Sequence, residues 1–308
     1  MNRLAAAQGI SMDPNMTYTL LIADKSYSSW SLRGWLCFRA FDIPVAVKTT
    51  RMYCDQCRRD REDGAPGSRT VPIVRTPTGG LLTDSIAIAW HLDRAFPDKG
   101  LLPADPNARA RAMSLIAEMH SGFTGLRGAC AMNLRTGWDG FEVTDAVRAD
   151  LDRLERVWGE ALDAHGGPWL CGAYSLADVF FAPVATRILT YNLPVSDRAL
   201  AYAKAHVAHP AFRRWRAMGL IEGREQPVYD MDLPRRAFPA PVPLPARAVD
   251  HGPSENAACP YSGDPVTDFL ELDGRIWGFC NPFCRDKTAA DPGAWLKFSA
   301  MIAGVNDS

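Results

Sequence analysis

No stretch of this 308-residue sequence approaches the ~18 consecutive apolar residues of a membrane-spanning helix, which excludes a helical span. Net charge is nearly absent as well. Lys plus Arg number 34 against 35 Asp plus Glu, so no global basic field draws the chain to nucleic acid or an anionic membrane surface. Residues 1–15 hold one arginine and a short alanine run but no apolar h-region. They are not read as a secretory signal; a disordered leader is expected, with Met12 or Met16 as alternative starts. The eight cysteines are too sparse for a disulfide scaffold, and without a signal they are expected to be reduced thiols in the cytoplasm. Internal repeats are also lacking. What is present is ordinary for a globular protein, 47% hydrophobic and 22% charged residues, in a length that predicts two domains and a small third.

Along the chain, Thr17–Ala23 (TYTLLIA) reads as a buried strand and residues 30–41 as a helix. Residues 45–49 read as a second strand, 51–68 as a short helix or loop, 71–75 and 81–83 as a hairpin, and 85–96 as a helix stopped by Pro97. The predicted order is β-α-β-α-β-β-α. After residue 106 the texture becomes helical: 107–135, 143–165, 175–191 and 198–215 form an all-α domain. Ser175-Leu176-Ala177-Asp178 is an N-capping arrangement. Domain limits are expected at 16–98 and 105–225, then a proline-rich extended linker over 232–255 and a compact piece over 256–304.

Tyr27-Ser28-Ser29-Trp30-Ser31-Leu32-Arg33 falls where the first strand turns into a helix. A free thiol titrates near roughly 8.5. A helix N-terminus favours an anion through its unpaired amides and dipole, and a hydroxyl adds a donor, so this segment suits a thiolate. Serines that simply cap the helix are the alternative.

Ser28-Ser29-Trp30-Ser31-Leu32-Arg33 resembles the Ser-Ser-Cys-x-x-Arg signature of zeta-class glutathione transferases, which include maleylacetoacetate isomerases, with Trp30 in place of cysteine. Arg69-Thr70-Val71-Pro72 followed by Thr83-Asp84-Ser85 is similar to the Val-Pro plus Asp/Glu-Ser pairing of cytosolic glutathione transferases. The linker Leu101–Pro106 and the Ser175–Asp178 cap also look like family features, so the resemblance runs from about Thr17 to Gly219. It implies an α/β thioredoxin-like N-terminal domain plus an all-α glutathione transferase C-terminal domain, usually a homodimer, acting on glutathione and a small electrophile. Ser28 maps to the thiol activator, with Ser29 as second candidate and Ser31 further into the helix. Val71 and a cis Pro72 map to the pairing with the glutathione backbone, and Asp84 and Ser85 to the γ-glutamyl end.

For the electrophile, His120, Phe123 and Arg127 fall at i, i+3 and i+7 of the predicted 107–135 helix and share a face. In the family that helix lines the cleft, so Arg127 suits an acidic substrate, helped by Asn133 or Arg135, with Trp30 as a wall. Interdomain or dimer-interface hydrogen bonds are the alternative for the first three, and a core position for Trp30.

Two cysteine clusters remain. Cys54-Asp55-Gln56-Cys57 follows the second strand, away from the first-helix position of thioredoxin-like redox pairs, and reads as two ordinary thiols; a labile disulfide or half a metal site is the alternative. Cys259, then about twenty residues, then Cys280-x3-Cys284 resembles the TRASH and YHS metal-binding modules, implying a small α+β treble-clef-like C-terminal module. Thiolates at this spacing suit zinc. Ser262 stands where a fourth cysteine would complete the set, so water, His251 or an aspartate must fill it, or the module is metal-free. The expectation overall is a glutathione transferase using a serine-activated thiolate. The rivals are a non-catalytic adaptor with a metal-sensing module, and glutathione-dependent thiol chemistry at Cys54 or Cys57.

Overall fold

The computed structural model describes residues 17–223 and 225–306 and comprises two compact units. The expected leader over 1–15 lies outside the described residues. The first unit contains residues 17–206 and Gln226–Pro239; the second contains Val207–Glu225 and the chain from Ala240 onward.

The first unit begins with strand β1 (Thr19–Ile22), helix α1 (Ser29–Arg39), β2 (Ala46–Thr49), α2 (Asp55–Gly64), β3 (Ile73–Arg75), β4 (Leu81–Leu82) and α3 (Ser85–Ala95). The sheet order is β2-β1-β3-β4, with β1 parallel to β2 and antiparallel to β3. This is the thioredoxin-like arrangement the sequence predicts. Successive β1 side chains point to opposite faces. Leu21 meets Ala65, Ile73 and Val71 on one face, while Leu20 lies under α1. There, Gly34 lets the helix approach the sheet, since a Cβ on it would sit 2.7 Å from the Pro72 ring.

The helical domain follows: α4 (Pro106–Ser121), α5 (Thr124–Ala129), β5 (Thr136–Trp138), α6 (Asp145–His165), α7 (Leu176–Thr190) and α8 (Asp197–Ala208). The predicted 107–135 helix is therefore interrupted. At Gly122 an added Cβ would meet the Glu118 carbonyl at 2.7 Å, and Phe123 takes a left-handed φ of 56°. Every residue of α7 is buried. Its first turn is closed by Asp178, whose Oδ2 accepts from the Ser175 amide (2.9 Å) and hydroxyl (3.0 Å) while Oδ1 accepts from the Leu170 amide (3.1 Å) and the Tyr202 hydroxyl (3.0 Å). The two domains of this unit share buried polar ties. Arg33 Nε donates to the Phe180 carbonyl (3.1 Å) and the Leu176 amide to the Leu101 carbonyl (2.8 Å).

The proline-rich stretch is more structured than the extended linker expected over 232–255. Within it, β6 (Arg235–Ala237) pairs with β5, and β7 (Ala246–Val249) pairs with β8 (Asp268–Leu272). In the second unit β7, β8 and β9 (Arg275–Phe279) form an antiparallel sheet. With it belong α9 (Pro210–Glu222), α10 (Pro282–Ala290) and α11 (Leu296–Asn306). The core gathers Leu270, Leu272, Trp277, Phe279, Trp295 and Phe298, and α9 joins it through Ala217. Arg213 holds Asp291 by two bonds, Nε–Oδ2 2.9 Å and Nη2–Oδ1 2.5 Å. So α9, placed by the sequence reading at the end of the helical domain, packs in the same unit as the C-terminal module.

Burial pushes the Asp178 carboxyl up to about 6 against the pull of its four hydrogen bonds. Between the ordinary carboxylate value of ~4 and that figure the folded state keeps a proton that the unfolded chain releases, so this group's contribution to stability falls as pH rises through the window. Asp178→Ala leaves four buried donors without an acceptor and should lower stability by about 3–5 kcal/mol. Urea unfolding on either side of that window should show the loss and the disappearance of this pH slope.

Candidate functional site

The site lies where α1 begins. Ser28 is the N-cap, in extended conformation. Its Oγ accepts from the Ser31 amide (3.3 Å) and donates to Ser31 Oγ (2.8 Å), which also accepts from the Ala23 amide at 2.9 Å. Ser31 is fully buried and ties β1 to α1. Ser28 and Ser29, by contrast, line a cleft of about 990 Å³ together with Trp30, Val71 and Arg127. Of the predicted residues, these five are brought together on one cleft, with Cys54 and Cys57 of the rival thiol reading also on its lining.

The others stand apart from its lining. Pro72, after a cis Val71–Pro72 bond, is packed under Gly34. Asp84 caps α3 by accepting from the Ile86 amide (2.7 Å), and Ser85 is fully buried with its hydroxyl unpartnered. His120 Nε2 lies 3.6 Å from Asp84 Oδ2, and its ring meets Trp30 edge-on at 5.3 Å. Phe123 is a core residue against Phe181 (6.1 Å), because the break after α4 turns it inward instead of along a shared face with Arg127. Asn133 is buried and accepts from the Arg135 amide (2.9 Å).

Trp30 lies near two guanidiniums, with Arg33 4.7 Å and Arg127 5.1 Å from its ring centroid, a favourable cation–π arrangement. Arg127 Nη1 donates to the His120 (3.2 Å) and Gly122 (2.9 Å) carbonyls, so the helix break itself anchors it. Arg187, on α7, donates to the Cys130 (2.7 Å) and Pro183 (2.9 Å) carbonyls and also reaches the cleft. Burial, then the charge of Arg127, lowers Arg187 to about 10; burial, then Arg127 and Arg187, lowers Arg33 to about 9.

Arg58, Arg61 and Arg69 join Arg127 and Arg187 on the lining, against the single carboxylate of Asp55. The cleft is therefore cationic, although the whole chain is nearly neutral. Sequence reasoning missed Arg187, whose signal was a lone charge in the apolar run Phe180–Leu189. It also missed Tyr229, which lines the cleft from beyond the helical domain, meets the Tyr27 ring at a tilt with centroids 4.8 Å apart and meets the Tyr53 hydroxyl at 2.9 Å. No local pattern announces that return.

In the second unit, the sulfurs of Cys259, Cys280 and Cys284 lie within 4.8 Å of one another, the one such convergence of potential metal ligands among the described residues. Burial raises the Cys259 thiol, but the Ser262, Tyr261 and Cys280 amides and the Ser262 hydroxyl bring it down to about 7. Burial raises Cys284 to about 11. Ser262 Oγ donates to Cys280 Sγ at 3.3 Å.

Comparison with known proteins matches residues 27–95 to the family "Glutathione S-transferase, N-terminal domain". The chain is 26% identical over 177 residues to a probable maleylacetoacetate isomerase of Caenorhabditis elegans, covering 56% of this chain and 79% of that one. It is 29% identical over 153 residues to the maleylacetoacetate isomerase of Pseudomonas aeruginosa, covering 47% and 69%. Among solved structures, a Burkholderia glutathione transferase homologue with bound glutathione superposes with a TM-score of 0.51 at 22% identity, covering 66% of this chain and 98% of that one. The glutathione transferase of Methylococcus capsulatus does so at 0.51 and 21%, covering 67% and 100%. The thioredoxin-like and helical domains have the glutathione transferase fold.

The two kinds of serine separate in stability. Ser31→Ala removes the acceptor used by the Ala23 amide and the Ser28 hydroxyl and should cost about 1–3 kcal/mol in denaturant unfolding. Ser29→Ala should stay within about 0.5 kcal/mol.

Proposed function

We propose that this protein is a glutathione-dependent transferase or isomerase in which Ser28 stabilises the thiolate of bound glutathione. The observation that carries the reading is the opening of the α1 N-cap, Ser28 with Ser29 beside it, onto a cleft rich in arginine. Rotation of the Ser28 proton away from Ser31 Oγ makes it a donor to a sulfur anion, and the start of α1 adds its roughly half-unit positive end. Val71, on the lining, offers backbone groups to the cysteinyl part. Ser85, with a buried hydroxyl lacking a partner, suits the γ-glutamyl carboxylate, and Asp84 its ammonium.

The thiolate then attacks an electrophilic carbon. In conjugation the C–S bond stays. In isomerisation the thiolate adds to a conjugated double bond, the carbon framework rotates, and the thiolate leaves. Arg127 and Arg187 suit a small acidic electrophile, and the two relatives named as maleylacetoacetate isomerases favour the isomerase branch. The expected homodimer and a cytoplasmic location belong to the same proposal. No helix among the described residues is long and apolar enough to cross a membrane.

Isothermal titration should give glutathione binding in the micromolar to low millimolar range. Ser85→Ala should weaken it by about tenfold, the loss of one hydrogen bond to a charged group. Ser28→Ala should lower turnover by about a hundredfold or more with little change in affinity. Well-folded protein that binds no glutathione sinks the proposal.

A metal in the C-terminal module is a second part of the reading, supported by the three converging sulfurs. A tetrahedral zinc with Zn–S near 2.3 Å holds its sulfurs about 3.8 Å apart, so the cluster needs only a small contraction. Cys259, Cys280 and Cys284 would hold the ion, which would add folding free energy to a small core. Purified protein should carry about one zinc per chain, lost in Cys280→Ser together with thermal stability. Absence of metal from protein purified without chelator, and no uptake of added zinc, overturns this part.

A further inference from the structure

The geometry points to a second reactive centre in the same cleft: we propose that Cys54 and Cys57 form a dithiol that exchanges with glutathionyl mixed disulfides. This rests on the reading that the cleft takes glutathione.

Both thiols line the cleft that Ser28 opens onto, and both are free. They stand one helical turn apart at the start of α2. Cys54 is the extended N-cap and the Cys57 amide donates to the Cys54 carbonyl at 3.1 Å. A disulfide brings Cβ atoms to about 4 Å, against about 5–6 Å for helical neighbours three apart. Cys54, outside the helix, would have to supply the difference by a turn of its own backbone.

Their exposures divide the work. Cys54 is exposed, and its thiol donates to the Arg51 carbonyl at 3.5 Å. Cys57 is buried and accepts from Arg61 Nη1 at 2.8 Å. An accessible thiol suits the attacking role, and a shielded one three residues on suits the resolving role. The preceding turn is shaped for this presentation. Tyr53 takes a left-handed φ of 58°, uncommon for a bulky residue, with its hydroxyl 2.9 Å from that of Tyr229. Arg58, Arg61 and Arg69 on the lining suit the carboxylates of a glutathionyl group.

The chemistry closes. Cys54 thiolate attacks the glutathionyl sulfur of a disulfide R–S–S–G. The S–S bond breaks, R–S⁻ leaves and takes a proton, and a Cys54–glutathione disulfide forms. Cys57 thiolate then attacks Cys54 Sγ, forming the Cys54–Cys57 disulfide and expelling glutathione thiolate, which takes a proton. Two glutathione molecules reduce the pair and leave as glutathione disulfide. The net exchange converts one mixed disulfide and one glutathione into one thiol and one glutathione disulfide. It requires no serine donor, so it is separate chemistry from the transfer reaction.

The test uses the full reduced chain and the mixed disulfide of cysteine with glutathione. Peptide mass mapping should show a Cys54–Cys57 disulfide in the wild type, a glutathionyl adduct trapped on Cys54 in Cys57→Ser, and neither in Cys54→Ser. The rate of glutathione disulfide formation should fall about tenfold or more in Cys54→Ser. Cys54 is exposed, so that variant is informative even if Cys57→Ser folds poorly. Exchange at the wild-type rate in Cys54→Ser, or adducts only on other cysteines, overturns the dithiol. Glutathione titration on the same sample separates the two failures: no binding removes the parent reading, while binding without exchange removes only this one.

Discussion

The carboxylate of Asp178 closes the first turn of a helix that has no solvent-facing side. Helix α7 is buried at every position from Leu176 to Thr190, so its terminal amides cannot turn to water and must find partners in the protein. Asp178 and Ser175 provide them in a reciprocal capping box. Farther along, Pro183 lacks the amide that would bond to the Val179 carbonyl. The neighbouring Phe180 carbonyl takes a bond from Arg33, and the Pro183 carbonyl takes bonds from Thr186 and Arg187. Through these contacts α7 fixes both sides of the site. It anchors α1 by Arg33, five residues beyond Ser28, and it aims Arg187 at the cleft.

That arrangement carries a penalty. Arg33 and Arg187 are almost wholly buried, and Arg33 Nη1 has no hydrogen-bond partner. Burying like charges near one another is unfavourable, and the charge of Asp84 offsets it for Arg33 only in part. Trp30 and the carbonyls of Cys130, Pro183 and Phe180 offset part of it by cation–π contact and hydrogen bonding. A core built only for stability would place apolar side chains at these positions. The remaining imbalance is of the kind that a bound anion relieves, and functional sites commonly hold such a reserve.

Much of the first domain was legible because its determinants are local. Strand and helix limits from Thr19 to Ala95 follow apolar runs and turn residues to within a few positions, α2 being the exception. Ser28, Ser29 and Val71 were legible as cleft residues because motif and helix start coincide. The errors came where tertiary contacts decide. Gly122 was a local break signal, yet helical texture on both sides masked it, and Phe123 turns into the core while His120 and Arg127 both meet Trp30. The short strands of the proline-rich stretch exist through pairing with residues 136–138 and 268–272, distant in sequence. Helix α9 has the pattern of any bundle helix; the Arg213–Asp291 pair that ties it to the C-terminal module spans 78 positions.

The preference for arginine in this cleft follows from the same burial. Arg33 at about 9 and Arg187 at about 10 still carry their charge at neutral pH after desolvation and mutual repulsion have acted. A lysine begins near ~10.4, so the same burial and repulsion would bring its titration closer to neutral pH than they bring a guanidinium's. An ammonium also lacks the planar fork that lets Arg187 bond two carbonyls and still face the cleft. Arg187→Lys is therefore not conservative here: the ammonium would hold its proton less firmly and would give up the fork that serves two carbonyls while facing the cleft. The positive field of the cleft depends on guanidinium chemistry as much as on the number of cations around it.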